Sequence, residues 1–281
     1  MRRAPGPLVV LGAAAGVIAF ADDNPLVLAA VAAGALVLAA AAPVRPNRLF
    51  LLGGLVSGLG LALMNPFVSA EGDLIVWQGP EVALIDLEVT VEEIVAGLAI
   101  GLRLFAVAVL VGAVLAHIDP DRLQAQVARV APRSALVCAL AARLMPTLER
   151  DARAISEAAR LRGVALAEGR WTTRARRAAP LALPLLASSM ERGLDVAEAM
   201  TARGYGAGGR TRLAEPPWGA AERAVAGIGA ALAVLAAAAI TLDLGAYTFY
   251  PTLTSPLTAG AAALAAGALG GMAAAAWVLR R

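Results

Sequence analysis

The sequence IVAGLAIGLRLFAVAVLVGAVLA, residues 94–116, holds one charged side chain, Arg103, in an otherwise apolar run. A helix of this length crosses the roughly 30 Å hydrocarbon core of a bilayer. The whole chain of 281 residues is 59% hydrophobic and 16% charged, with a mean hydropathy of +0.72. A soluble domain of this size cannot hide so much apolar surface, so the composition predicts an integral membrane protein.

Five further stretches are apolar enough to span, or nearly span, a bilayer. With the first they give six predicted spans at residues 8–21, 26–42, 49–64, 94–116, 221–242 and 257–279. The first and third are short, which bilayer thinning or burial among neighbouring helices accommodates. The predicted fold class is therefore all-α, with about six transmembrane helices.

The arginines segregate by side of the membrane. All 24 basic residues are Arg, and 23 of them fall on inner segments if the N-terminus is cytoplasmic; Arg103, within a span, is the exception. The predicted outer loops hold only acidic charges. Because an Arg excess in short loops marks the cytoplasmic side, the chain is predicted to lie in the plasma membrane with both termini in the cytoplasm. The net charge of +3 follows from this topology, and no nucleic-acid partner is predicted.

These spans divide the chain into three predicted blocks. Residues 1–116 contain four spans and an outer loop at 65–91, residues 117–220 form a cytoplasmic region, and residues 221–281 contain the last two spans. In the outer loop, residues 82–90 partly alternate after a Gly-Pro turn, which predicts a small outer β-hairpin. Thr90 and Glu93 form a predicted capping box for the fourth span. Asp22 and Asp23 are predicted to form a solvated outer turn.

The cytoplasmic region is too charged to span and too apolar for a disordered loop. A short helix is predicted from Asp119-Pro120, and longer amphipathic helices over residues 134–162, kinked at Pro146, and over residues 181–203. In the first long helix, the apolar side chains Leu148, Ala152, Ile155 and Ala159 recur at helical spacing, while Arg150, Arg153 and Arg160 face elsewhere. Such helices lie along a membrane or pack beneath its spans.

The two long helices end alike, in an Arg followed by a Gly. The two Arg-Gly ends are Leu161-Arg162-Gly163 and Ala202-Arg203-Gly204. One interpretation is capping, in which each Gly takes the left-handed position and each Arg complements the helix dipole. The other is a pair of cationic tips that a partner with two acidic grooves can grip. The pattern leaves both open.

The stretches around these ends resemble a known family. RLMPTLERDARAISEAARLRG (143–163) and SSMERGLDVAEAMTARGYG (188–206) are similar to the two signature regions of the transmembrane T component of energy-coupling factor (ECF) transporters. LEVTVEEIVAGLAIGLRLFAVAVL (87–110) and the residues from 118 to 148 are also similar, and the likeness covers about residues 89–205. The chain departs from the family at Leu161, where the family usually has Ala.

The resemblance implies a mechanism and its partners. The T component couples two ABC ATPase subunits, identical or different, to a separate substrate-binding S component in the membrane. Arg162 and Arg203 are then the ATPase anchors, and Gly163 and Gly204 allow close backbone approach. Vitamin and transition-metal cargoes both remain open, because the substrate subunit sets them in this family.

Other functions are weighed against this one. A conventional ABC importer permease is an alternative, although its coupling loop occurs once per chain. A membrane enzyme is a remote alternative, since the inner acids are interleaved with Arg. The sequence has no Lys and hence no G-x-x-x-x-G-K-[ST] loop, so no ATP hydrolysis by this chain, no cofactor and no catalytic residue are predicted. One Cys and one His predict no metal site. Arg103 is either functional or paired with an acid or carbonyl, and the pairing is favoured.

Overall fold

The computed structural model describes residues 4–44, 48–65, 74–78, 88–164, 170–208, 217–250 and 253–281. Within them the order of elements is α1 (Pro5–Ala21), α2 (Pro25–Ala41), α3 (Arg48–Met64), β1 (Ile75–Gln78), β2 (Glu88–Thr90), α4 (Val91–His117), α5 (Pro120–Val130), α6 (Pro132–Leu161), α7 (Trp171–Ala202), α8 (Ala220–Leu242) and α9 (Ala259–Arg280). The described chain is therefore overwhelmingly helical, as the sequence predicts.

Among the described residues, three helices are long and apolar enough to cross a membrane: α4, α8 and α9. The helices α1, α2 and α3 are also apolar but have 17 residues each, which is about 25 Å of helix. All six coincide with the predicted spans to within a few residues. The structure thus supports an all-α membrane protein with three long and three shorter apolar helices.

The apolar helices form one compact unit, made of residues Met1–Leu123 and Pro217–Arg281. In it α1 packs on α8, α2 packs on both α4 and α9, and α3 packs on α4. The side chains of α1 and α2 supply much of the core; Leu11, Ile18 and Val31 are fully buried. Because α2 is apolar on every side, it is suited to this central place.

Glycines bring the backbones of α3 and α4 into direct contact. A Cβ atom added at Gly58 would lie 2.5 Å from the carbonyl oxygen of Gly101, so neither position has room for a side chain. Small residues at such a contact allow the backbones of two helices to pack closely within a membrane. Gly16 differs, because a Cβ there would meet nothing within 4 Å.

The predicted capping box at the start of α4 is confirmed. The amide of Glu93 donates to Thr90 Oγ1 at 3.3 Å, and the amide of Thr90 donates to Glu93 Oε2 at 3.0 Å. Just before it, β2 pairs antiparallel with β1, with Ile75 opposite Thr90. The residues that would close a hairpin, 79–87, lie outside the described residues, so the outer hairpin remains a prediction.

The second compact unit comprises residues Gln124–Pro216 and contains α6 and α7, which pack against each other. The amphipathic pattern predicted for α6 is confirmed, since Leu148, Ala152, Ile155 and Ala159 are partly or fully buried while Arg150, Arg153 and Arg160 are exposed. The predicted start of α7 at residue 181 is wrong, because the helix begins at Trp171. The Ala and Arg residues before Pro180 favour a helix, and the helix continues through that proline.

Candidate functional site

The first Arg-Gly end closes α6 with a complete Schellman motif. Gly163 has a φ of 82°, and its amide donates to the Arg160 carbonyl at 2.9 Å. The amide of Val164 donates to the Ala159 carbonyl at 3.1 Å. These bonds satisfy carbonyls that a helix end otherwise leaves without partners. Arg162 is the C-cap residue, with φ −84° and ψ 8°.

The second Arg-Gly end closes α7 with the same geometry. Gly204 has a φ of 76°, and its amide donates to the Thr201 carbonyl at 2.9 Å. The amide of Tyr205 donates to the Met200 carbonyl, also at 2.9 Å. The C-cap residue Arg203 has φ −86° and ψ 8°, within a few degrees of its counterpart on α6. The left-handed glycines predicted at both ends are therefore confirmed.

The two arginine side chains take no part in this capping. Arg162 and Arg203 are exposed, and their guanidinium groups form no hydrogen bond or ion pair with any residue that the structure describes. Leu161, beside the first arginine, is 91% exposed. Backbone bonds alone therefore complete the caps, and both charges remain available at the helix tips.

An ion pair marks where α6 and α7 meet. Asp151 on α6 lies 3.0 Å from Arg192 on α7, and both side chains are about one-third exposed. Asp151 precedes Leu161, the last residue of α6, by ten positions, and Arg192 precedes Ala202, the last residue of α7, by the same number. At 1.5 Å per residue, each Arg-Gly end lies roughly 15 Å along its helix from this ion pair. No sequence motif marked the pair, because an acid and a base on two amphipathic helices are common.

A row of large apolar side chains runs along α7 and is open to its surroundings. Its members are Leu183, Leu186, Met190 and Leu194, which are 61–75% exposed. Their spacing of three or four positions places them on one face of the helix. Nothing in the described residues covers this row, and a contiguous apolar strip of this kind usually marks a binding surface.

Arg103, within α4, binds the C-terminal end of α1. Its Nε donates to the Ala19 carbonyl and its Nη2 to the Asp22 carbonyl, each at 2.9 Å, and it pairs with the carboxylate of Asp23. The cation thus meets helix carbonyls that lack partners in their own helix, at the negative end of the dipole. The predicted pairing with an acid or a carbonyl is confirmed.

The prediction that Asp22 is solvated is wrong, because this residue is only 5% exposed. Its carboxylate accepts a hydrogen bond from the Asn24 amide at 2.9 Å and packs against Gly245, in the segment that follows α8. Burial raises the pKa of Asp22, and the neighbouring Asp23 and Asp243 carboxylates raise it further, although the Asn24 amide lowers it. Local sequence could not reveal this burial, because the covering segment is over 200 residues away.

Glu222, near the start of α8, accepts hydrogen bonds from three donors among the residues that the structure describes. The Ala4 amide at 2.8 Å and Arg122 Nη1 at 3.0 Å donate to its Oε1, and the Gly219 amide donates to Oε2 at 3.0 Å. Glu222 is 7% exposed, whereas the Arg122 side chain is 37% exposed. Glu222 therefore links three parts of the chain: the residue before α1, the first turn of α5 and the start of α8. Its sequence context does not indicate this role.

The described residues do not form a metal site. Among those residues, no three His, Cys, Asp or Glu side chains come together as a metal site would require. His117 is buried and its Nδ1 lies 2.8 Å from the Ala113 carbonyl, while Cys138 is exposed. Neither residue is near an Arg-Gly end in sequence.

Curated relatives with 37–44% identity match about a third of this chain. A protein from Exiguobacterium sibiricum, named energy-coupling factor transporter transmembrane protein EcfT, is 44% identical over 85 residues, or 30% of this chain and 32% of its own length. A protein of the same name from Listeria innocua is 40% identical over 85 residues, with the same coverage. One from Bacillus selenitireducens is 37% identical over 92 residues, or 32% of this chain and 34% of its own. The chain thus spans about a third of the length of the curated relatives it matches.

A family-level match covers far more of the chain. Residues 6–213 match the family described as cobalt transport protein, CbiQ. This range contains α1 to α7 and includes both Arg-Gly ends. It covers well over half of the 281 residues. The chain therefore belongs to the CbiQ family of cobalt transport proteins.

Proposed function

We propose that this chain is the transmembrane coupling subunit, the T component, of an ECF-type ABC importer. It passes ATP hydrolysis by two partner ATPases to a separate substrate-binding membrane subunit. The observation that carries the proposal is the pair of matching helix ends, each with an exposed arginine that its cap does not need. Family membership and the names of the relatives support it. A conventional permease would need only one such end.

In this proposal Arg162 and Arg203 enter acidic grooves on two ATPase subunits. A guanidinium group matches a carboxylate with two parallel hydrogen bonds, which makes it a strong anchor. Gly163 and Gly204 leave room for the partner backbone beside each anchor. Because the two ends share one geometry, they suit two copies of one ATPase as well as two related ones.

Force would pass through α6 and α7, which pack against each other. The Asp151–Arg192 pair lies about equally far from each Arg-Gly end. Closing of the ATPases would therefore move two helical segments of similar length, one on α6 and one on α7. The exposed apolar row that begins at Leu183 is a suitable surface for an apolar partner, the S component. Its cargo, a vitamin or a transition metal, would be chosen by that subunit.

The proposal includes a membrane topology. Six spans with both termini in the cytoplasm are supported by the Arg distribution and by the six apolar helices, and a small outer hairpin is supported by the antiparallel pairing of β1 with β2. The chain is then organised as residues 1–116, 117–220 and 221–281, with the middle block carrying the coupling helices. The chain itself is non-catalytic, and ATP is bound by its partners, in keeping with the missing phosphate loop.

Removing the tip arginines tests the proposal. Arg162→Ala, Arg203→Ala and the double variant would be co-expressed with the ATPases and assayed by pull-down and by transport. Loss of one anchor leaves a partner acid unpaired and should cost about 2–5 kcal/mol of binding, and loss of both should abolish assembly. If the arginines only complemented the helix dipole, each loss would cost about 0.3–1 kcal/mol. Arg203→Ala is expected to be the more damaging single change, because Leu161 departs from the family pattern.

Arg153→Ala is the matched control, since Arg153 lies on α6 away from the tip. Its side chain is 77% exposed and lies 3.7 Å from Glu149 one turn earlier, so its loss should leave assembly intact. Variants of Arg162 and Arg203 that insert normally, bind the ATPases fully and still transport would refute the anchor role.

A further inference from the structure

The first turns of α7 form an exposed cationic patch that the proposed coupling mechanism does not use. Arg170 is the N-cap residue, Trp171 is the first helical residue, and Arg174, Arg176 and Arg177 follow within two turns. We refer to these five residues as the α7 patch. Every residue from 171 to 180 is exposed, so the described part of the chain does not cover the helix here.

The charge in this segment is unusually one-sided. No acidic residue occurs between Glu168 and Glu191, whereas the α6 arginines alternate with acids such as Glu149. Residues 170, 174 and 177 follow the spacing of a single helix face. A solvated helix face normally mixes both signs of charge, so a purely cationic face indicates a polyanionic partner.

The aromatic residue identifies the kind of polyanion. Trp171 is 79% exposed at the edge of the patch, and tryptophan is characteristic of the interface between lipid headgroups and water. Cationic side chains beside an exposed aromatic ring are the composition of segments that rest on an acidic membrane surface. Because the chain is a membrane protein, a lipid surface is part of its surroundings.

We propose that the α7 patch binds the headgroups of anionic phospholipids. It does so at the opposite end of α7 from Arg203, about 48 Å along the 32-residue helix. The lipid contact is thus separate from the proposed ATPase anchors and does not depend on them. Each arginine near an anionic surface favours contact by roughly fivefold, so three together contribute roughly a hundredfold.

A fluorophore beside the patch tests this directly. The full-length chain would carry Ala175→Cys with the native Cys138→Ser, labelled with an environment-sensitive dye. It would be reconstituted into phosphatidylcholine vesicles with or without phosphatidylglycerol, both containing a headgroup-level quencher lipid. We expect quenching that needs phosphatidylglycerol and that weakens as salt screens the charges.

Two matched triple variants separate the patch from charge in general. The patch variant replaces Arg174, Arg176 and Arg177 with Gln, and the control variant replaces Arg150, Arg153 and Arg160 with Gln. In the patch variant, we expect the equilibrium constant for contact between the patch and the lipid surface, obtained from the quenched fraction, to fall roughly a hundredfold. The control variant should give the same constant as the parent chain. The proposal fails if quenching is the same with and without phosphatidylglycerol, or if the two triple variants lose quenching equally. It also fails if the dye is shielded only when ATPases are added to phosphatidylcholine vesicles.

Discussion

Replacing Glu222 with alanine is expected to destabilise the membrane unit strongly, because at least the three described donors lose one buried acceptor. The Ala4 amide suffers most, since Ala4 is 4% exposed and water cannot replace the carboxylate. A buried donor left without a partner costs about 1–3 kcal/mol. Loss of the capping interaction with the exposed Gly219 amide adds about 1 kcal/mol. Arg122 can rehydrate, because over a third of its side chain is exposed, so its loss adds at most about 1 kcal/mol.

The total expected for Glu222→Ala is therefore about 2–5 kcal/mol. Glu222→Gln keeps an oxygen for the Ala4 amide but loses the charge and turns an NH2 group towards the Gly219 amide, so it should cost about half as much. In the Arg122→Ala background, Glu222→Ala should cost less than in the parent chain, because the pair is already broken. This coupling distinguishes the ion pair from simple side-chain packing.

The assay is unfolding of the purified full-length chain in mixed micelles, followed by intrinsic tryptophan fluorescence. Glu149→Ala is the matched control, since that carboxylate is 61% exposed and pairs only with an exposed arginine. It should change the free energy of unfolding by no more than about 0.5 kcal/mol. If Glu222→Ala were as mild as Glu149→Ala, the buried network would contribute nothing and the reasoning would be refuted.

Three further substitutions test other features of the chain. Gly58→Ala should destabilise the chain by about 1–3 kcal/mol in the same unfolding assay, because the new methyl group meets the Gly101 carbonyl. Gly53→Ala, which has open space around it, should be neutral, and equal effects of the two substitutions would contradict the contact. Because the pKa of Asp22 is raised in the folded state, the stability this carboxyl contributes is present at low pH and is lost as pH rises above about 4. Asp22→Asn should flatten that decline in a series of melting temperatures, and an unchanged slope would exclude the carboxyl as its source. Glu168→Cys, with the native cysteine replaced by serine, should react with an impermeant thiol reagent only from the cytoplasmic side, and labelling from outside would overturn the topology.

Local signals in the sequence predicted the elements well. The run at 94–116 became α4, Val91–His117, because span length and composition are properties of one segment. The capping box of Thr90 and Glu93 and the left-handed Gly163 and Gly204 were also predictable, since each depends on residues within one helical turn. In all these cases the interacting groups are close in sequence.

The contacts that join distant segments could not be predicted. Glu222 binds Arg122 across 100 positions and Ala4 across 218, and nothing in the local pattern of either partner marks the pairing. The burial of Asp22 depends in the same way on Gly245. The start of α7 at Trp171, ahead of the predicted start at residue 181, depends on a different property: a helix stabilised by neighbouring turns tolerates the hydrogen bond that Pro180 cannot donate.

The two matching helix ends also make mutational tolerance informative. The left-handed backbone at Gly163 and Gly204 penalises almost every other residue, so intolerance there mixes the chain's own folding with any approach of a partner backbone. Arg162 and Arg203 have ordinary backbone angles and exposed side chains, so folding alone would accept many replacements. In a library of variants selected for uptake, a restricted set of tolerated residue types at these two positions would therefore report binding to a partner rather than folding of the chain.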